Sequence, residues 1–346
     1  MKNTNLIIGK TNTGKTKGIL FNEVNNMIEN DENLLIVDNR EEYYETYSKK
    51  LKEKGYNTYV INLNNPLKSN GYNPLMLPYN LYKNGNKDDS VELIKNLCSE
   101  IFKDNSADPF WSNMSSDYVT GLILTIFKNA KEEEINFGSL AVILNQADQK
   151  YEDTSLLNAY LNSLDVFDNI YISTSPTAFS PVETRGSIVS VVKQKLNMFF
   201  MKENLMNMLS LNEIDLENIN NKTAIFVIGN NNIANIFINQ LFYAIKNNKI
   251  KFNIILDNID SFSTILCMNE LVENATYNNI KLYVSSHDIS GLENIYGKYI
   301  TTKFENIINL PNDELKLIEV GNDNEYPIIK EQEKHYFNFE EFIKNK

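Results

Sequence analysis

The residues with the plainest chemistry stand near the start of the chain: Gly9-Lys10-Thr11-Asn12-Thr13-Gly14-Lys15-Thr16, a complete GxxxxGK[ST] loop. Glycines let the backbone wrap an anion, and successive amide N–H groups at the start of the following helix face it. Lys15 is suited to reach the β- and γ-phosphates of a nucleoside triphosphate, and the Thr16 hydroxyl to meet Mg²⁺. The required setting is present, with Leu6, Ile7 and Ile8 as an apolar run before the loop and a helix-compatible segment after it. The pattern implies nucleotide binding and is silent about its purpose.

A loop of this kind needs a second acidic ligand for Mg²⁺ and a group that orients the attacking water, both usually at the end of a neighbouring buried strand. Phe252 to Asp257 (FNIILD) is the best candidate, with Asp257 as the metal's outer ligand. Leu34 to Asp38 (LLIVD) has the same grammar and is its rival. Asn258 follows Asp257, where many motor ATPases carry Glu. An Asn can hydrogen-bond a water but cannot take its proton, so slow hydrolysis is expected. Asp260 and Glu270 are the acids nearby that could substitute, although neither stands in the usual place.

These groups need a frame. Residues 5 to 8, 34 to 38 and 58 to 63 read as strands, and 15 to 28 and 41 to 54 as helices, an alternation typical of a parallel sheet covered on both faces. The stretch 64 to 87 breaks the pattern with Pro66, Gly71, Pro74, Pro78 and Gly85 and reads as a long connection. From Ser90 to about Leu211 the apolar period is helical, as in Val119, Leu122, Ile123 and Ile126. Strand signals return at 224 to 228, 254 to 257 and 281 to 285, separated by helical stretches at 233 to 246 and 267 to 276. The expected fold is therefore α/β, a nucleotide-binding domain made of 1 to 88 and 212 to 346 with an all-helical domain, 89 to 211, inserted. The acidic, aromatic tail from Asn322 onward is expected to be a surface-packed end or an interaction arm.

At 346 residues the chain can bury a full-sized core, and its composition is that of an ordinary globular protein. No run approaches the length of a membrane span and the start lacks a signal peptide's apolar segment, so a cytoplasmic protein is expected. Cys98 and Cys267 have no metal-ligand spacing and read as buried small hydrophobes. The net charge of −12 argues against a whole surface adapted to nucleic acid, while leaving room for a local basic channel formed on assembly. The basic clusters, Lys49, Lys50, Lys52 and Lys54 and then Lys246, Lys249 and Lys251, read as solvated faces rather than a groove.

Several separated segments together resemble the type IV coupling proteins, the TraG-type conjugative DNA transfer ATPases. Asp38-Asn39-Arg40-Glu41-Glu42 stands where that family has Asp-Pro-Lys-Gly-Glu, and Ser69-Asn70-Gly71-Tyr72-Asn73-Pro74-Leu75 is similar to its Ser-x-x-(Trp/Tyr)-Asn-Pro-Leu. Asp108-Pro109-Phe110-Trp111, Thr184-Arg185-Gly186-Ser187-Ile188 and Lys222-Thr223-Ala224-Ile225-Phe226 follow in the family's order, and the segment from His287 to Gly297 resembles its Gln-x-x-x-x-Leu-x-x-x-Tyr-Gly. The match runs in order across about residues 5 to 310. It implies a RecA-like P-loop NTPase core with an inserted helical domain, assembling as a homo-oligomeric, hexameric ring around DNA. It also favours Asp257 over Asp38 as the Mg²⁺ ligand. The family's N-terminal transmembrane segment has no counterpart here, so anchoring at the inner face of the membrane is expected to go through a partner.

The resemblance gives further residues their expected roles. His287 replaces a Gln that senses the γ-phosphate; the plainer reading is a strand-end His satisfied by backbone neighbours. Only two arginines exist, so an arginine finger supplied across a subunit interface must be Arg40 or Arg185, with Arg185 preferred; the alternative for Arg185 is a structural ion pair with an acid such as Glu183. Phe110 and Trp111 are expected to anchor a core, the alternative being an exposed platform for a partner. Taken together, these residues imply an ATP- and Mg²⁺-dependent motor that delivers DNA to a type IV secretion or conjugation machinery, with relaxosome or secretion-channel proteins as partners. The alternative is a weakly or non-hydrolysing ATP-binding adaptor. A small-molecule kinase fits poorly, for want of a catalytic arginine cluster.

Overall fold

The structure is a computed structural model describing residues 3–104, 108–219, 221–262, 264–311, 326–329 and 333–345. Among these residues nine strands occur: β1 (Thr4–Ile8), β2 (Leu34–Val37), β3 (Asn57–Asn62), β4 (Lys150–Tyr151), β5 (Thr154–Ser155), β6 (Thr223–Ile228), β7 (Phe252–Leu256), β8 (Ile280–Ser286) and β9 (Asn306–Asn309). The chain forms two compact units, one of residues 1–70 and 213–329 and one of 71–212 and 330–346.

The first unit carries a seven-stranded sheet in the order β3-β6-β2-β7-β8-β1-β9, every pairing parallel. Parallel pairing needs crossovers that put helices on the faces, and strands covered on both faces read as unbroken apolar runs. β2 (LLIV) and β7 (FNIIL) are such runs, and all of their residues are buried. The crossover helices are α1 (Phe21–Glu29), α2 (Glu42–Glu53), α11 (Asn232–Asn248), α12 (Met268–Asn274) and α13 (Ile289–Tyr296). On one face Leu20, Val24 and Ile28 meet Ile36, Phe226 and Tyr44 in a continuous apolar layer.

The strand order places the chemistry. In a parallel sheet every strand's carboxyl end lies along one edge, and ligands bind in the crevice there. The spatial run β2-β7-β8-β1 sets four such ends side by side. Register pairs Val37 with Leu256, Leu256 with Val284, and Ile8 with Ser286. Asp38, Asp257, His287 and the Gly9 loop each follow one of those strands, so they rise together.

The second unit is helical: α3 (Met76–Lys83), α4 (Lys87–Phe102), α5 (Phe110–Asn129), α6 (Phe137–Gln146), α7 (Leu156–Asn162), α8 (Asn169–Ala178), α9 (Val182–Phe200), α10 (Glu203–Met208) and α14 (Phe339–Lys344). β4 and β5 form a short antiparallel hairpin within it. Its centre is α5, whose Val119, Leu122, Ile123 and Ile126 are fully buried as their helical spacing requires. α8 packs so close to α5 that a Cβ on Gly121 would sit 1.8 Å from the Thr174 hydroxyl. Cys98 and Cys267 are both buried, and burial pushes each thiol up to about 12.

The unit boundaries differ from those read in the sequence. The stretch expected to be a connection, 64 to 87, contains α3, and the helical unit begins at 71 rather than 89. Of the five breakers in that stretch only Pro78 falls inside α3, at the third position, where a helix tolerates proline because its missing N–H has no intrahelical partner. Its carbonyl accepts from Ser90 Oγ at 2.7 Å, which ties α3 to α4. The described part of the tail agrees with a packed end rather than an arm, and from residue 333 on it belongs to the helical unit. Of the residues from Asn322, those at 322–325, 330–332 and 346 lie outside the described residues. The described end is no free arm, since Phe337, Phe339 and Ile343 are buried and Phe339 meets Tyr160 edge-on in the helical unit.

Phe110 and Trp111 do not anchor a core. They are 44% and 39% exposed and meet edge-to-face at 5.1 Å, in the first turn of α5, ahead of the buried face that starts at Ser115. No helix among the described residues is long and apolar enough to cross a membrane.

Candidate nucleotide site

Between β1 and α1 the chain makes the phosphate loop. Asn12 and Gly14 hold left-handed backbone angles, φ 64° and 91°, and 15–20 then form a wide helical turn that runs into α1. The amides at the start of this turn have no carbonyl a turn earlier to pair with, which leaves them directed at an anion. Gly9 is required by close approach: a Cβ there would lie 2.5 Å from Thr13 Oγ1, whose hydroxyl donates to the Lys10 carbonyl at 2.8 Å. The loop from Lys10 to Thr16 lines a cleft of about 190 Å³ together with Asp38, Arg40, Tyr43, Asp257, Asn258 and His287.

Lys15 is buried, and its ammonium donates to the carbonyls of Gly9 and, at 2.9 Å, Lys10. Burial lowers its pKa, while the charges of Asp257 and Asp260 oppose that shift. The Thr16 hydroxyl donates to Asp257 Oδ2 at 2.7 Å. Tyr43 OH donates to the same oxygen at 2.8 Å, and Ser285 Oγ donates to Oδ1. Burial, and then the Asp257 charge, raise the Tyr43 phenol well above its ordinary value, so it remains a donor. A hydroxyl and a carboxylate held together beside a phosphate loop are a fitting oxygen donor pair for Mg²⁺, a hard cation.

Asp38, the rival acid, has a different task. Its Oδ2 accepts the amides of Tyr43 and Tyr44 at 2.8 and 3.1 Å, capping the start of α2. It is 2% exposed, and burial raises its carboxyl from 3.8 to about 7.

Asn258 directly follows the Asp257 strand in a left-handed conformation, φ 58°. Its amide donates to Ser285 Oγ at 2.8 Å and its carbonyl accepts from Ser261 Oγ at 2.8 Å, so the peptide on both sides of the side chain is fixed. His287 is held from one side by Asp260. Asp260 Oδ2 accepts the His287 amide at 2.6 Å and faces Nδ1 at 2.8 Å, while Nε2 meets Thr11 Oγ1 at 3.1 Å. The strand-end reading of a His served only by backbone neighbours therefore gives way to a side-chain pair. Glu270, the other acid considered, pairs with Lys246 at 2.6 Å.

Arg185 is in α9 of the helical unit, where its Nε lies 3.4 Å from Asp148 and its Nη1 donates to the Ala178 carbonyl at 3.1 Å. Its ion-pair partner is thus Asp148, not Glu183. Arg40 lines the cleft, with a side chain 68% exposed and 3.7 Å from Glu42. The basic clusters are largely matched by acids: Lys50 and Lys54 share Glu29, each at 2.6 Å, and Lys251 meets Glu32 at 2.5 Å. Tyr43 and Ser285 were not found by sequence reasoning. Tyr43 lies in the stretch 41 to 54, read only as a helix, and Ser285 in 281 to 285, read only as a strand.

A larger cavity, about 1080 Å³, opens in the helical unit beside Glu132, Glu133, Glu203 and Asn207. It is lined by Glu132, Glu133, Glu203, Lys334 and His335 and carries no phosphate-binding loop.

A family model described as type IV secretory system conjugative DNA transfer matches residues 3–308. No curated protein sequence matches the chain. Solved structures with a similar fold include the bacterial conjugative coupling protein TrwBdeltaN70, at 11% identity over 88% of this chain and 67% of that one, TM-score 0.56. The plasmid coupling protein TrwB in complex with ADP and Mg²⁺ matches at 10% identity over 88% and 70%, TM-score 0.54. VirB4 of Thermoanaerobacter pseudethanolicus matches at 11% identity over 90% and 78%, TM-score 0.55.

Proposed function

The chain belongs to the type IV secretory system conjugative DNA transfer family, and from that premise we propose that it is an ATP-binding coupling motor serving DNA delivery to a type IV secretion or conjugation machinery. The single observation that carries the nucleotide reading is the 2.7 Å hydrogen bond from Thr16 to Asp257, beside a loop whose backbone is shaped for phosphate. In this reading Gly9 through Thr16 bind the phosphates of ATP, Lys15 reaches the outer two, and Thr16 with Asp257 hold Mg²⁺. The ion supplies charge neutralisation at the phosphate oxygens. Tyr43 and Ser285 orient the Asp257 carboxylate. That TrwB, of similar fold, forms a complex with ADP and Mg²⁺ supports a nucleotide and Mg²⁺ as the ligands.

Hydrolysis is expected to be slow, because Asn258 stands where a proton-accepting Glu is usual. Arg40 or, across a subunit interface, Arg185 would supply the transferred charge's arginine. Assembly as a homo-oligomeric, hexameric ring around DNA, contact with relaxosome or secretion-channel proteins, and residence in the cytoplasm at the inner face of the membrane complete the proposal.

A second reading, an ATP-binding adaptor that does not act as a motor, is favoured by one observation. The lysines nearest to forming a DNA track, Lys50, Lys54, Lys246 and Lys251, are each paired with Glu. Affinity for a phosphate backbone depends on clustered cations that are free to release its counterions.

ATP hydrolysis measured with and without single- and double-stranded DNA, alongside Lys15→Ala and Asn258→Glu, separates the two. DNA-stimulated turnover that Lys15→Ala abolishes supports the motor. Tight ATP binding with negligible turnover, switched on by Asn258→Glu, supports the adaptor. No ATP binding at millimolar concentration overturns both.

A further inference from the structure

We propose that Asp260 and His287 form a proton-accepting dyad that takes over, in this chain, the task Asn258 cannot perform; the proposal rests on the nucleotide reading above. The tautomer follows from the partners. Asp260 Oδ2 already accepts the His287 amide at 2.6 Å and stands 2.8 Å from Nδ1, and a carboxylate oxygen in that position accepts rather than donates. Nδ1 therefore carries the proton of the neutral ring. Nε2 is left with its lone pair, and Thr11 Oγ1, a hydroxyl able to donate, meets it at 3.1 Å.

The direction in which Nε2 faces gives the pair its meaning. Lys15, the side chain suited to the outer phosphates, is hydrogen-bonded to the carbonyls of Gly9 and Lys10, so that limb of the loop marks the terminal-phosphate end. Thr11 is the next residue on the same limb. The basic nitrogen thus lies beside Thr11 on the limb that Lys15 marks, on a ring that is 40% exposed, where a water at a terminal phosphate would take the place of the Thr11 hydroxyl.

The carboxylate behind the ring is itself fixed. Ser286 Oγ donates to Asp260 Oδ1 at 2.6 Å, so both of its oxygens are engaged. A carboxylate that fixes the imidazole tautomer and steadies the cation formed on protonation is the arrangement by which His serves as a general base.

In the step proposed, the water oxygen bonds to the terminal phosphorus while one water proton passes to His287 Nε2. The bond from that phosphorus to the bridging oxygen breaks, its electron pair leaving with ADP. The proton returns to solvent through the exposed ring. Asp260 acts through His287 and is a positioning residue. Asn258 keeps a hydrogen-bonding role in the same cleft.

The discriminating variant is His287→Gln, which restores the residue that TraG-type proteins carry here. Glutamine can orient a water and sense a phosphate but cannot accept a proton at neutral pH. Three measurements are made on wild type, His287→Gln, His287→Ala and Asp260→Asn, each first checked for folding by thermal melting: affinity for a fluorescent ATP analogue, single-turnover hydrolysis, and ¹⁵N NMR of the imidazole. Only His287 and His335 contribute to that last spectrum.

The expected result is a wild-type His287 with its proton on Nδ1, a pattern Asp260→Asn disturbs. His287→Gln is expected to hydrolyse about 100-fold more slowly with nucleotide affinity changed less than about 2-fold. Asp260→Asn is expected to slow single-turnover hydrolysis with nucleotide affinity changed less than about 2-fold. Wild-type turnover in His287→Gln, or an Nε2-protonated ring in the wild type, overturns the dyad and leaves the nucleotide reading intact. Wild-type protein that binds ATP but never turns it over overturns the dyad as well. Absence of ATP binding by the wild type overturns the nucleotide reading and the dyad with it.

Discussion

The Thr16 hydroxyl and the Asp257 carboxylate lie 2.7 Å apart across 241 positions of sequence. They do not come from neighbouring strands: β8 runs between β1 and β7, and it contributes Ser285 to the same carboxylate. The phosphate loop thus reaches over the end of β8 to meet the acid after β7. Tyr43, in the first turn of α2, closes the arrangement from the other side. Four segments are therefore joined at one carboxylate, and each can be tested separately.

Tyr43→Phe removes one donor to Asp257 and changes nothing else in the shape of the core. Hydrogen bonds to charged groups contribute about 1.5–3 kcal/mol, so a loss of stability of that order is expected in urea denaturation. A change near zero would mean that the hydroxyl contributes nothing to holding Asp257.

Asp38 makes the fold sensitive to pH. A carboxyl raised from 3.8 to about 7 keeps its proton in the folded chain over that window while the unfolded chain loses it. Folding then takes up a proton, and this group's contribution to stability is complete below pH 3.8 and is lost as pH rises through about 7. Asp38→Asn keeps an oxygen for the Tyr43 and Tyr44 amides without the charge. Its melting temperature is expected to decline less than wild type's between pH 5 and 8; parallel profiles would refute the assignment.

Two glycines should respond in opposite ways. Gly9→Ala puts a methyl 2.5 Å from Thr13 Oγ1, and the loop must shift to admit it, so ATP affinity is expected to fall at least about 10-fold. Gly186 lies inside α9 with open space at its Cβ position. Gly186→Ala is expected to stabilise the chain by about 0.5–1 kcal/mol, read as a raised melting temperature.

Trp111→Ala is expected to cost less than about 1 kcal/mol, since the ring is 39% exposed at the start of α5. A buried tryptophan would cost about 3–5 kcal/mol on truncation. Chemical denaturation separates the two values cleanly.

Much of this protein was legible in order along the chain. The GxxxxGK[ST] loop names its own chemistry because a phosphate cradle requires particular residues at consecutive positions. The strands of the sheet announce themselves because burial on both faces demands uninterrupted apolar runs, as in β2 and β7. β9 escaped notice because only its edge position and alternate burial mark it, with Ile307 40% exposed. α3 and α14 escaped because proline signals and an acidic, aromatic composition are read locally, while their membership in the helical unit depends on contacts with α4 and Tyr160.

What the residues alone determined was the phosphate-loop pattern from Gly9 to Thr16, and that an apolar strand ending in an acid was to be expected nearby. Only the tertiary structure shows which of Asp38 and Asp257 meets Thr16, since both end strands of the same grammar. The order β2-β7-β8-β1 and the reach of the loop over β8 bring one acid to Thr16 and turn the other under α2. The same strand order sets Asp260 behind His287 and Tyr43 against Asp257. Such pairings depend on distances through space between segments far apart in the chain, and local sequence patterns do not encode those distances.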